Sequence, residues 1–170
     1  MAAGSQHWYA RTNDEFSQMA SWLQAPFLLA VRLYWGWQFT QTGWGKLHNL
    51  AHVTDFFTTL GLPAPAVMAH FCAGLEFVGG ILLILGLASR FISLLLVGNM
   101  VVAFYTAERE ALFSIFRDPG KFYTADAYTF LFAALLILIF GAGAISVDHL
   151  LRHHFAKKHH ERLRETETSA

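Results

Sequence analysis

Two charged residues stand inside apolar runs where a charge is hard to place. Glu76 lies within Ala66–Leu87, a stretch otherwise almost wholly apolar, and Arg32 lies within a run from Trp22 or Pro26 to Trp44. A carboxylate or guanidinium withdrawn from water must be paired, hydrogen-bonded or turned toward a wet cavity. Any fold for this chain has to bring polar partners to both points.

The rest of the sequence says what surrounds those points. Of 170 residues, 55% are hydrophobic and only 14% charged, with a formal net charge of zero. Soluble domains carry about 25% charged residues, so the lipid bilayer is the expected surrounding. Zero net charge offers no hold on nucleic acid. Four apolar runs come near the roughly 20 residues that a membrane helix needs: Trp22/Pro26–Trp44, Ala66–Leu87, Phe91–Ala107 and Ala127–Val147. Ala133–Ala142 (AALLILIFGA) has no polar side chain on any face, whereas a helix of a soluble bundle needs one. The expected fold is all-α: an integral membrane four-helix bundle with a short N-terminal interfacial helix and a polar C-terminal tail. Its expected segments are 1–25, interfacial; 26–148, the four-span domain; and 149–170, a basic, His-rich tail.

Local chemistry sets the expected boundaries. Thr12, Asn13 or Asp14 can cap a short helix in which Phe16, Met19, Ala20 and Leu23 share a face. Pro26 suits the first turn of the next helix or a kink. Gly61-Leu62-Pro63-Ala64-Pro65 breaks the chain before the second span. Gly86 ends that span, and the turn Ala88-Ser89-Arg90 is so short that spans two and three must be antiparallel neighbours. The N-terminus lacks the basic-then-apolar order of a signal peptide, so the first span is expected to act as an uncleaved insertion signal. Lys and Arg favour the side holding Arg11, Arg90 and the tail, which places both termini in the cytoplasm.

The polar residues lie on small-residue faces. Arg32, Gly36, Phe39, Gly43 and Lys46 recur at helical spacing; so do Ala69, Cys72, Ala73, Glu76, Gly79, Gly80 and Leu83. Small residues let membrane helices approach closely, so both faces are expected to point inward. Counting from the helix ends places Arg32, Glu76 and Asn99 at similar depth. An Arg32–Glu76 pair with Asn99 nearby follows. It is either an ion pair that fixes helix register or a site for a polar headgroup, such as a quinone carbonyl or a small oxyanion, with Arg32 as donor and Glu76 as proton acceptor. Gln38, Gln41, His70, Tyr105 and Tyr128 could line the mouth of such a cavity, or lie singly at the interface.

Other chemistry is poorly supported. His48, His52 and Asp55 have i, i+4, i+7 spacing, but they sit in a loop-side segment where exposure is the default, so no metal is expected. Cys72 is a single cysteine inside an apolar run and reads as a small residue at a helix contact. No phosphate loop, nucleophile elbow, HExxH or dinucleotide fingerprint occurs. No cofactor intrinsic to the chain is expected.

The ordered set Arg32-x3-Gly36, Gly43-x2-Lys46, Gly61-x-Pro63, Glu76-x2-Gly79-Gly80, Gly86-x3-Arg90 and Gly141-Ala-Gly143-x2-Ser146-x-Asp148 resembles the DoxX family of small four-helix inner-membrane proteins. Arg32, Lys46, Glu76, Arg90 and Asp148 are polar positions within that set; Tyr105 and Ala144 depart from it. The resemblance implies a bacterial or archaeal cytoplasmic membrane protein related to the membrane subunit of a thiosulfate:quinone oxidoreductase. It further implies a quinone as the cofactor met and other membrane or peripheral subunits as partners. The competing expectation is a non-catalytic accessory or scaffold subunit. A small transporter is a third, disfavoured by four short spans without internal repeats.

Overall fold

The computed structural model describes the backbone of residues 2–154 and the side chains of residues 21–154. Among the described residues every regular element is a helix. The first, α1 (Ala2–His48), is one continuous helix of 47 residues with Pro26 inside it, about 70 Å long at 1.5 Å per residue. The separate interfacial helix expected before Pro26 is not formed, and Thr12, Asn13 and Asp14 lie within α1 instead of capping a new start. Proline removes one backbone hydrogen bond, and the helical runs on both sides carry the chain through it. The side chains of Phe16, Met19 and Ala20 lie outside those described.

Asn49 separates α1 from α2 (Leu50–Thr59), which has no fully buried residue and packs on α3 (Pro65–Leu85). Then come α4 (Ser89–Thr106), two short helices α5 (Arg109–Phe113) and α6 (Pro119–Tyr123), and α7 (Asp126–Phe140). Residues 147–154 are helical again; the remainder of the tail, 155–170, lies outside the described residues. Helix α1 packs against α3, α3 against α4, α4 against α7 and α7 against α1.

The α1–α3 contact is the tightest, because glycines face each other. A β-carbon on Gly80 would stand 2.5 Å from the Gly36 carbonyl oxygen. The fully buried residues of α3 are Ala69, Cys72, Ala73, Glu76, Gly79, Gly80 and Leu83, the stripe that its spacing predicts. The main core joins Phe39, Leu83, Ile92, Leu96, Met100, Ala134 and Ile137. A second cluster of Phe104, Ala111, Phe122, Ala125 and Ala127 seats the short helices against α4 and α7.

Helix α7 ends at Phe140, not at Val147 as the apolar run suggests. Gly141 has φ +80°, in the left-handed region that glycine tolerates, and the chain runs irregularly to residue 146. At 15 residues α7 is apolar but short; α3 and α4 are long and apolar enough to cross a membrane.

Candidate functional site

Arg32 and Glu76 are both 1% exposed, but they do not meet. The Arg32 guanidinium is enclosed by main-chain carbonyls. Its Nε donates to Leu83 (2.9 Å) and its Nη2 to Ile84 (3.1 Å), both at the C-terminal end of α3. Its Nη1 donates to Ile145 (2.9 Å) and to Ala142, in the irregular segment after α7. The last carbonyls of a helix have no partner within it, and a buried irregular segment has the same deficit. Arg32 supplies the missing donors to both.

The expected pair fails on register. Depths counted from assumed span ends place Arg32 beside Glu76, but the glycine contacts set the alignment. Gly36 lies against Gly80 and Ile84, while Gly43 lies against Ala73 and Phe77. Antiparallel helices in that register put Arg32 at the end of α3 and Lys46 beside its middle.

Two further charges serve helix ends at the Arg32 end of the molecule. Asp148 accepts the main-chain N–H groups of Ala88 (2.8 Å) and Ser89 (3.0 Å), capping α4, and its own N–H donates to the Gly86 carbonyl (3.0 Å). Arg90 reaches the Ile139 carbonyl near the end of α7 at 3.4 Å.

Glu76 is answered by side chains. Lys46 Nζ lies 2.6 Å from Oε1 and 2.7 Å from Oε2. Asn99 Nδ2 donates to Oε1 at 3.0 Å, from α4. The Cys72 thiol, one turn before Glu76 on α3, lies 3.5 Å from the same oxygen and 3.9 Å from Lys46 Nζ. Three helices thus converge on one carboxylate. The Lys46 side chain is 33% exposed and Asn99 is half-buried, so this cluster has an open side that the Arg32 cage lacks. Among the described residues the Asn99 carbonyl oxygen takes no hydrogen bond. The arrangement offers a cationic donor, an amide acceptor and, behind them, a carboxylate able to take a proton.

Lys46 was visible in the sequence as the last member of the Arg32 stripe; its partner was not. The other polar residues singled out do not gather into a mouth. Gln41, His70 and Tyr105 are exposed and Gln38 is half-buried. His70 Nδ1 contacts the Ala66 carbonyl at 2.7 Å, Tyr105 lies under the Arg109 guanidinium, and Tyr128 packs on Phe122 with ring centroids 4.7 Å apart. No hydrogen bond or ring contact joins these residues to one another. His48, His52 and Asp55 are exposed, and His48 Nδ1 contacts the Trp44 carbonyl at 2.9 Å.

The DoxX family model matches residues 27–109, the stretch that holds Arg32, Lys46, Glu76, Arg90 and Asn99. This segment belongs to the DoxX family. DoxX proteins are membrane-associated. The Bacillus subtilis (strain 168) protein named "Putative oxidoreductase CatD" is 32% identical to the chain over 85 residues, which is 50% of this chain and 62% of that protein. The chain thus spans less than two thirds of that relative's length. No solved structure matches. Both polar clusters draw on the DoxX segment, but Ala142, Ile145 and Asp148, which complete the Arg32 end, lie beyond it.

Proposed function

We propose that the chain is a multi-pass membrane protein, with α1, α3, α4 and α7 forming a four-helix bundle in the cytoplasmic (inner) membrane and both termini in the cytoplasm. Large apolar side chains point outward all along these helices: Phe27, Val67, Phe71, Leu94, Val101 and Ile139 are each at least half exposed. A protein in water conceals such a surface or uses it for association. Within the bilayer it faces lipid tails. In this reading Arg32 makes the short α7 workable. Irregular backbone at membrane depth is tolerated only where protein groups satisfy it.

The activity proposed is that of a membrane subunit in a quinone-linked redox complex. One observation carries it: a buried carboxylate held by a partly exposed lysine. Lys46 can donate to a carbonyl oxygen at the open side, and Glu76 can hold or release the proton that quinone reduction requires. The donor set fits such an oxygen. The quinone would supply the electron acceptor; a partner subunit would deliver the electrons, since the described residues have no cysteine pair. The identity with a protein named as an oxidoreductase supports the same class.

The test is purification from native membranes in mild detergent, with partners read by mass spectrometry and quinone by lipid extraction. Wild type is expected to carry quinone, and Lys46→Met to lose it while staying folded. A folded, quinone-free wild type that co-purifies with partner subunits would overturn the redox proposal in favour of an accessory or scaffold subunit.

A further inference from the structure

A second polar site lies away from Lys46, where α4 ends and α7 begins. Thr106, Glu108, Arg109, Glu110, Lys121 and Asp126 are among the residues lining a cavity of about 500 Å³ there, within the ~300–1,000 Å³ range of small-ligand sites. Its charges are only partly matched. Glu110 is engaged by Lys121 at 2.8 Å. Among the described residues, neither Glu108 nor Asp126 has an ion-pair partner. The Arg109 guanidinium lies over the Tyr105 and Phe113 rings, at 5.5 and 5.6 Å from their centroids, and meets no carboxylate among the described residues.

We propose that this cavity binds an ammonium group carried beside a phosphate, the chemistry of a phosphoethanolamine headgroup. The ammonium sits with Glu108 and Asp126; the phosphate meets Arg109. Each alternative leaves a charge unanswered. A free anion would face two carboxylates, and a bare metal cation would leave Arg109 beside further positive charge. Glu108 already senses the deficit. Burial pushes its carboxyl above the ordinary range and Asp126 adds to this, while the Ala127 N–H, donating to Oε2 at 3.2 Å, works against it. A cation between the two acids relieves both effects. Phe113, whose ring lies under the Arg109 guanidinium, is 63% exposed, an apolar surface suited to an acyl chain. That favours a lipid as the source, a point that rests on the membrane reading above; the headgroup chemistry does not depend on it.

The experiment measures thermal unfolding of the full chain in detergent micelles doped with phosphatidylethanolamine or phosphatidylglycerol, or with soluble phosphoethanolamine. Phosphatidylethanolamine is expected to raise Tm by about 3 °C or more at saturation, and phosphatidylglycerol to do less. The double variant Glu108→Gln/Asp126→Asn should lose that preference; glutamine still offers Ala127 an acceptor. Arg109→Gln, which leaves both acids in place, should weaken the same shift. A shift with soluble phosphoethanolamine alone would uphold the headgroup chemistry and assign it to a soluble source. Equal shifts with both lipids, or a preference that survives the double variant, would overturn the site. Quinone content of the same preparations reports on Lys46 separately, so either proposal can fail without the other.

Discussion

Arg32 and Glu76 are equally buried, yet the chain treats them in opposite ways. Arg32 is surrounded by main chain: Leu83, Ile84, Ala142 and Ile145 all offer carbonyls. Glu76 is surrounded by side chains: Lys46, Asn99 and Cys72. A guanidinium has five donors in a rigid fork, which suits it to tying helix ends together. A carboxylate accepts at two oxygens and can change protonation state, which suits it to chemistry. Difference in enclosure follows the same line. The carbonyl cage is closed, whereas the Glu76 cluster is bordered by a lysine one-third exposed. Burial alone therefore does not mark a functional charge; what surrounds it does.

The comparison breaks most easily at Arg32. Arg32→Met removes four main-chain hydrogen bonds at once and leaves buried carbonyls unanswered. At about 1 kcal/mol or more for each, the loss is on the order of 4 kcal/mol. Arg32→Lys should recover little, because an ammonium cannot span two chain segments as the planar fork does. Monodispersity and thermal unfolding in detergent check this. A stable, quinone-binding Arg32→Met protein would move Arg32 out of architecture altogether.

The Glu76 cluster should respond as a pair. Lys46→Met leaves a buried carboxylate without its cation, and breaking such a pair costs about 3 kcal/mol. Glu76→Gln in the same chain removes the stranded charge, so the double variant should be more stable than Lys46→Met alone. A double-mutant cycle measures the coupling. No single second substitution can rescue Arg32 in that way, since its partners are backbone. Additive effects at Lys46 and Glu76 would erase the distinction between the two regions.

What the sequence could reveal divides along the same line. The buried stripe of α3 was legible residue by residue, because helical periodicity and small side chains mark a packed face. So was the close turn at Gly86. Pairing across helices was not legible. Arg32 and Lys46 stand 14 residues apart on α1, so which of them meets Glu76 depends on how α1 and α3 slide past each other. That register is decided by glycine contacts at Gly36, Gly43 and Gly80 that no count of depth contains. Asn99 lies beside Glu76 on α4, which follows α3 through a short turn that leaves little freedom of register. The early end of α7 was obscured by the apolar run continuing through Gly141, and Pro26 suggested a boundary that the α1 backbone does not make.

Asp148 offers a smaller test on the Arg32 side. It caps α4 through Ala88 and Ser89, so Asp148→Ala should cost about 1 kcal/mol, the usual worth of an N-terminal cap. If the Arg32 end is architectural, this variant lowers Tm and leaves quinone content unchanged. A selective loss of quinone would mean that the two ends are not separate in function.

Glu108 sharpens the comparison from the opposite end of the molecule, with the smallest effect. It too serves a helix end, through the Ala127 N–H, but unlike the Arg32 guanidinium a carboxyl group can gain or lose its proton. Burial, with help from Asp126, raises its carboxyl above the ordinary 4.5. The folded chain therefore holds that proton more tightly than the unfolded one. The associated stabilisation is fully present below the ordinary value and is lost as pH rises through the raised one. Between those limits wild type should lose stability with rising pH more steeply than Glu108→Gln, and above them the two curves should run parallel. Thermal unfolding across that window without added aminolipid checks the sign. A wild-type profile as flat as that of Glu108→Gln would mean that the carboxylate is already compensated by a cation, leaving Arg32 and Glu108 alike as fixed helix-end ties.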